Sequence, residues 1–206
     1  MVPAAGRPAE TGSARVQEKR RRRRAEILHA ALRAFRDRGY HATTLDDIAL
    51  GLGVRKTALY HYFPDKQTIL HECHREASAE LKRIVREAEK IETARAQLTH
   101  VIREHVRVMT ETLEGSPLAF EVGSFSPERQ RELIAARDEY ERAVRRIIQR
   151  GIRRREFRKV DSKVAVFAIL GAINWIARWY QPEGALHAPE LGEQYADLLV
   201  RGMVRR

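Results

Sequence analysis

The stretch Thr43-Thr44-Leu45-Asp46-Asp47-Ile48-Ala49-Leu50-Gly51-Leu52-Gly53-Val54-Arg55-Lys56-Thr57-Ala58-Leu59-Tyr60-His61-Tyr62-Phe63-Pro64-Asp65-Lys66 decides the fold of this 206-residue chain. It divides into two short helical segments around a glycine turn. Thr44 opens the first, and Asp47 three residues on completes a capping-box spacing that satisfies otherwise orphaned backbone donors. Ile48, Ala49 and Leu52 supply its apolar face. Gly51-Leu52-Gly53-Val54 lets the chain turn sharply, because glycine tolerates backbone angles that a side chain forbids. The second segment, Arg55 to Phe63, is expected to bury Leu59 and Phe63 and to leave Arg55, Lys56, Thr57, Tyr60 and His61 facing outward. Two such helices can be a simple hairpin with solvated cations. They can equally be a helix-turn-helix, whose second helix enters the DNA major groove.

Charge favours a nucleic-acid partner. The net charge is +11, and Arg7, Arg15, Lys19 and Arg20 to Arg24 concentrate it near the N-terminus against only Glu10 and Glu18. With almost no large apolar residue, residues 1–22 are expected to be a disordered basic arm. Such an arm suits phosphate or minor-groove contact, or it serves as a solubilising tail. Residues 23–68 then form the helix-turn-helix domain. Its first helix, Arg23 to Arg38, lines up Ile27, Leu28, Ala31, Leu32 and Phe35, and Gly39 stops it.

Residues 69–206 read as a second helical domain, making the fold class all-α. Asp65 caps a long helix that continues past Ile84 without proline or glycine. A further helix over Thr93 to Leu113 is broken at Gly115-Ser116-Pro117, and Ser126-Pro127-Glu128 starts another that reaches Arg153. Asp161 caps Ser162 to Tyr180, which is apolar on almost every side and therefore must be covered on every side. The same helix of a second copy supplies that cover. With a last helix over Glu190 to Val204 it predicts a twofold four-helix homodimer interface, with Phe167 and Leu199 facing outward.

Other chemistries find little support. Cys73 is the single cysteine, which excludes an internal disulfide and a Cys-x-x-Cys pair and points to a cytoplasmic setting. Val164 to Ile173 is too short to cross a membrane, and no secretory signal is visible. His71, His74, His100 and His105 read as polar surface histidines rather than metal ligands. Gly51-Leu52-Gly53 lacks the strand and third glycine of a dinucleotide fingerprint. Neither a catalytic residue set nor a cofactor is expected.

The string Thr43-Thr44, Ile48-Ala49, Gly53-Val54, Leu59-Tyr60-His61-Tyr62-Phe63 and Lys66 resembles the N-terminal domain of TetR-family transcriptional regulators over about Arg23 to Leu70. The resemblance implies a homodimeric regulator, most often a repressor, that releases double-stranded operator DNA when a small ligand occupies its helical C-terminal domain. Lys56, Thr57, Tyr60 and His61, with Arg55, would then face base edges and backbone, while Thr44 and Lys66 hold phosphates. This chain departs from the family pattern at Arg55, where a small cap such as serine is usual. It departs again at Asp46, a place that is often basic, and at Thr57-Ala58, which replace glycine and threonine. The run Gly171-Ala172-Ile173-Asn174-Trp175-Ile176-Ala177-Arg178-Trp179-Tyr180-Gln181-Pro182-Glu183-Gly184 resembles, more loosely, the branch that senses acyl-CoA thioesters.

A hydrophobic effector would occupy a pocket between the middle helices, lined by Met109, Leu113, Phe120, Phe125, Tyr140, Asn174 and Trp175. Arg137 and Arg178 would hold a phosphorylated head group at its mouth. Glu121 is the one carboxylate expected to face inward, which argues against a cationic ligand. Two alternatives stand beside this reading. One is a helical ligand-binding protein or enzyme retaining the motif as structure; the other is an activator without a small ligand.

Overall fold

Gly39, at φ +78°, ends the first helix where the sequence places the stop, its N–H closing on the Phe35 carbonyl at 2.9 Å. The computed structural model describes residues 9–116 and 121–204, with side chains from residue 14. Among them are eight α-helices and no strand beyond an isolated bridge between Phe157 and Val204: α1 Ala9–Arg38, α2 Leu45–Gly51, α3 Lys56–Tyr60, α4 Lys66–Ala88, α5 Ala94–Arg107, α6 Pro127–Arg153, α7 Ser162–Trp175 and α8 Ala188–Arg201.

The expected disordered arm is corrected over residues 9–22, which continue α1; residues 1–8 lie outside the described residues. Helix propagation is cheap once a packed segment has nucleated it, and this run is rich in good helix formers. Its acids pair along the helix, Glu18 with Arg21 and Glu26 with both Arg22 and Arg23. Arg24 leaves the basic run altogether. It donates to the Tyr62 carbonyl at 3.1 Å and lies over the Phe63 ring at 4.4 Å, tying α1 to the end of the helix-turn-helix.

α1, α2 and α3 enclose a small core of Ile27, Phe35, Ile48, Leu59 and Phe63. The capping box forms as the sequence predicts: the Asp47 N–H donates to Thr44 Oγ1 at 3.2 Å and the Thr44 N–H donates to Asp47 Oδ2 at 2.8 Å. α4 starts at Asp65, whose carboxylate accepts from the Thr68 N–H at 2.6 Å, and runs out of this core into the second one. The boundary read at 68–69 therefore falls inside a continuous helix.

In the second core α4, α5 and α6 pack on one another, α7 covers α6, and α8 lies along α5. Gly192 lies on that contact, where a Cβ would meet the Arg103 backbone at an ordinary van der Waals distance of 3.4 Å. α5 does not run unbroken to Leu113. Residues Val108–Thr112 widen into a π-helical turn, a distortion that recurs at functional sites. The turn ends at Glu114 and Gly115, both in the left-handed region. Glu114 then reaches α1. Its carboxylate meets His29 Nδ1 at 2.9 Å and Arg33 at 3.3 Å, and its carbonyl accepts from Arg36 at 3.3 Å. Phe120 and the rest of 117–120 lie outside the described residues. Pro127 occupies the first turn of α6 as expected, although the Ser126 side chain makes no capping bond. Asp161 does cap α7, accepting from the N–H groups of Lys163 and Val164 at 2.7 and 3.1 Å.

Candidate nucleic-acid interface and ligand chamber

The short α3 hangs on Leu59 and Phe63, both buried, and positive φ at Gly53 (+65°) sets its angle to α2. Thr57, Tyr60 and His61 are exposed and stand three and four residues apart, so they share one face. Arg55 occupies the N-cap position with an exposed side chain and no capping bond, as its departure from serine predicts. Lys56 is only half-exposed and bonds Asp46 at 2.7 Å, an ion pair that braces α2 against α3. That hydrogen bond raises the Lys56 pKa above lysine's ordinary value. Asp46 is thus matched to Lys56 within the protein.

Thr44 is exposed, but its hydroxyl is engaged with Asp47 at 2.6 Å, so a phosphate contact from it would compete with the helix cap. Lys66 is a correction. Its ammonium donates to the carbonyls of Tyr40, His41 and Thr43 at 2.7, 3.2 and 2.7 Å and sits 4.4 Å from the centre of the Tyr40 ring. An ammonium has three donors. All three point into the loop between α1 and α2, so Lys66 holds that loop rather than a phosphate. Burial pulls its pKa below the ordinary lysine value.

Between α4, α5, α6 and α7 lies a chamber of about 460 Å³, within the range of small-molecule sites. Of the residues the sequence assigns to a ligand site, Met109, Leu113, Tyr140, Arg137 and Asn174 line it. Its other apolar walls are Leu81, Val108, Phe167 and Leu170. Val108 and Met109 belong to the π turn, which thus forms part of the wall. Buried residues form the floor, among them His74, His105 and Tyr140, whereas Arg137, Asp138, Phe167 and Gly171 mark the mouth.

Several expectations about this chamber are corrected. Trp175 points away from it and is exposed on α7, because the helical turn that directs Leu170 and Asn174 inward directs Trp175 outward. Arg178 opens onto a separate cleft with Arg36, Gly115 and Tyr180. Phe125 is buried one layer behind the wall, its ring edge-on to His74 at 5.5 Å. Glu121 lies 3.4 Å from His41, near the helix-turn-helix, and the acids that line the chamber are Asp138 at the mouth and the mostly buried Glu141. His71 and His74 are buried, not surface residues, and His105 is buried on the inward face of α5 that its place in the apolar pattern of that helix predicts. Burial, reinforced by Arg137 and His71, pushes His74 down to about 3, and burial alone pushes His105 down to about 4, so both are neutral at pH 7. The Tyr140 hydroxyl and His105 Nδ1 hydrogen-bond at 3.2 Å. Among the described residues no group of three or more His, Cys, Asp and Glu side chains is placed to hold a metal ion. No described helix is long and apolar enough to cross a membrane.

Two family models match this chain: "Bacterial regulatory proteins, tetR family" over residues 27–73 and "Tetracyclin repressor-like, C-terminal domain" over residues 91–203. The transcriptional repressor KstR2 of Mycolicibacterium smegmatis is 28% identical over 196 residues, covering 89% of this chain and 91% of that protein. The crystal structure of PfmR, a TetR family transcriptional regulator from Thermus thermophilus, is 35% identical, covers 87% of this chain and 99% of PfmR, and superposes with a TM-score of 0.76. AibR in complex with isovaleryl coenzyme A and operator DNA has the same fold, at a TM-score of 0.73 and 24% identity over 88% of this chain and 98% of AibR. The helix-turn-helix, the helical ligand domain behind it and these matches together place the chain in the TetR family of bacterial DNA-binding transcriptional regulators.

Proposed function

We propose that this regulator is a homodimeric repressor released from its operator by a hydrophobic ligand carried as a CoA thioester. The observation that carries the ligand assignment is the chamber itself. Its walls are mainly aliphatic, sulfur and aromatic groups, which suit a hydrocarbon chain, and Arg137 stands at its mouth where a phosphorylated head group would emerge. The bound state of AibR, a protein of the same fold holding both isovaleryl coenzyme A and operator DNA, supports this choice. So does the family relationship to KstR2, named a ketosteroid regulator.

On DNA, Thr57, Tyr60 and His61 would read base edges, with Arg55 and the basic face of α1 contacting the backbone. Phosphate contacts position such a protein and base contacts specify the sequence. Val164, Phe167, Trp175 and Leu198 form an exposed apolar surface on α7 and α8, and a second copy would cover it. The two recognition helices would then sit about 34–36 Å apart, one turn of DNA. Release requires that the ligand favour a dimer with a different spacing, since equal affinity for both states shifts nothing.

Operator DNA from the chain's own upstream region, titrated with acyl-CoAs of increasing chain length, tests this reading. Release should strengthen with chain length until the chamber is filled. Release by a cationic dye or a small polar metabolite, with every acyl-CoA inert, would sink the thioester assignment and leave the repressor reading standing.

A further inference from the structure

The floor of the chamber is not uniformly greasy. His74 projects from α4 into it, is 7% exposed, and has no hydrogen-bond partner for its Nε2 among the described residues. The ring is held in place by the edge of Phe125 at 5.5 Å. Beside it on the floor is the His105–Tyr140 pair, already joined at 3.2 Å. Buried polar atoms are almost always satisfied, and one left without a partner inside a cavity calls for an occupant.

We infer that the effector carries a hydroxyl or keto oxygen on the hydrocarbon portion that enters the chamber, and that His74 Nε2 is the atom that recognises it. This rests on the chamber being the effector site. A plain saturated chain would leave Nε2 desolvated and unpaired. A hydroxyl supplies the missing bond in either imidazole tautomer, and a keto oxygen supplies it when Nε2 carries the proton. Sites built to bond a polar substrate group reject analogues lacking it more strongly than apolar pockets reject an extra methylene. Burial holds His74 neutral, so its ring is able to pair with an uncharged oxygen at ordinary pH. Arg137 at the mouth and His74 on the floor give the ligand a fixed direction: charged head outward, oxygenated end inward.

The test uses matched probes: decanoyl-CoA, 9-oxodecanoyl-CoA and 10-hydroxydecanoyl-CoA, with the corresponding free acids as a second series, each titrated calorimetrically into the full-length protein. The oxygenated probes should bind about tenfold more tightly than their plain counterparts. In His74→Leu that preference should vanish, through loss of affinity for the oxygenated probes with plain-chain binding kept or improved. His74→Gln, which keeps a hydrogen-bonding group, should retain part of it. Equal binding of plain and oxygenated probes by the wild type, or a preference that survives in His74→Leu, would overturn the inference. An oxygen preference confined to the free acids, with no CoA ester binding, would uphold His74 and defeat the thioester reading instead.

Discussion

Replacing Lys66 by Met removes an ammonium that donates to three carbonyls of the loop between α1 and α2. A loss of about 1–3 kcal/mol in unfolding free energy is expected by urea denaturation. Tyr60→Ala should do the reverse, leaving stability within about 0.5 kcal/mol because the ring is half-exposed, while weakening operator binding in a gel shift. A Lys66→Met protein of wild-type stability would return Lys66 to the phosphate-binding set. His74 and His105 predict an acid-sensitive fold. Their folded pKa values lie below the ordinary 6.5, so the unfolded chain binds more protons as pH falls below 6.5 and stability drops. Each adds a slope of about 1.4 kcal/mol per pH unit. Between pH 6.5 and 5, above the range of most carboxylates, His74→Leu should therefore flatten the stability profile by about half; an unaltered slope would show that other groups set it. The Thr44–Asp47 cap was legible in the sequence because both partners lie within one turn. Lys66's partners were not, because they lie more than 20 residues upstream and are backbone atoms without a sequence signature. His71 and His74 were misread for a related reason. A polar residue on a helix is assigned outward by default, and only the packing of α6 and of Phe125 against α4 reverses that.

Helix α6 carries Gly151 directly beneath the ring of Phe157, where a Cβ would stand 2.2 Å from the nearest ring carbon. Gly151→Ala brings helix propensity worth about 1 kcal/mol, but overpacking against a buried ring costs about 1–3 kcal/mol, so net destabilisation is expected. Thermal unfolding should show a lowered midpoint for Gly151→Ala that is restored when Phe157→Leu is added. A midpoint raised by the single change would mean that the Phe157 loop yields freely. The start of α6 at Ser126-Pro127 and the end of α1 at Gly39 could be read from sequence, since both are local signals. The π turn over 108–112 could not: Val108 and Met109 keep an apolar pattern that an unbroken α-helix also satisfies. The extension of α1 to Ala9 was hidden likewise, because its charge suggested disorder while its helix-forming residues and ion pairs, seen together, favour a helix.

At the scale of the molecule, the proposed homodimer turns on the exposed apolar face of α7 and α8, through which a second copy would bring two recognition helices together. The sequence expects Phe167 and Leu199 to face outward; Phe167 is 55% exposed, but Leu199 packs against the core and Leu198 is the exposed residue there, at 75%. Leu198→Glu lies outside the chamber and should give monomers in sedimentation velocity, with operator binding lost because one half-site is too weak alone. A stable wild-type monomer at micromolar concentration would remove the homodimer proposal. Glu114 connects the two halves differently. It follows the π turn that walls the chamber, and its carboxylate and carbonyl grip His29, Arg33 and Arg36 on α1. Traffic through such a joint runs in both directions. By linkage, the factor by which an effector weakens operator binding is the factor by which bound operator weakens effector binding, on the order of 5–150-fold in typical cases. A regulator seated on its operator is thereby partly deaf to its own signal. In a cell, the first molecules to sense a rising effector would be those wandering free of DNA, and removing them from the searching pool would empty the operator by depletion as well as by release.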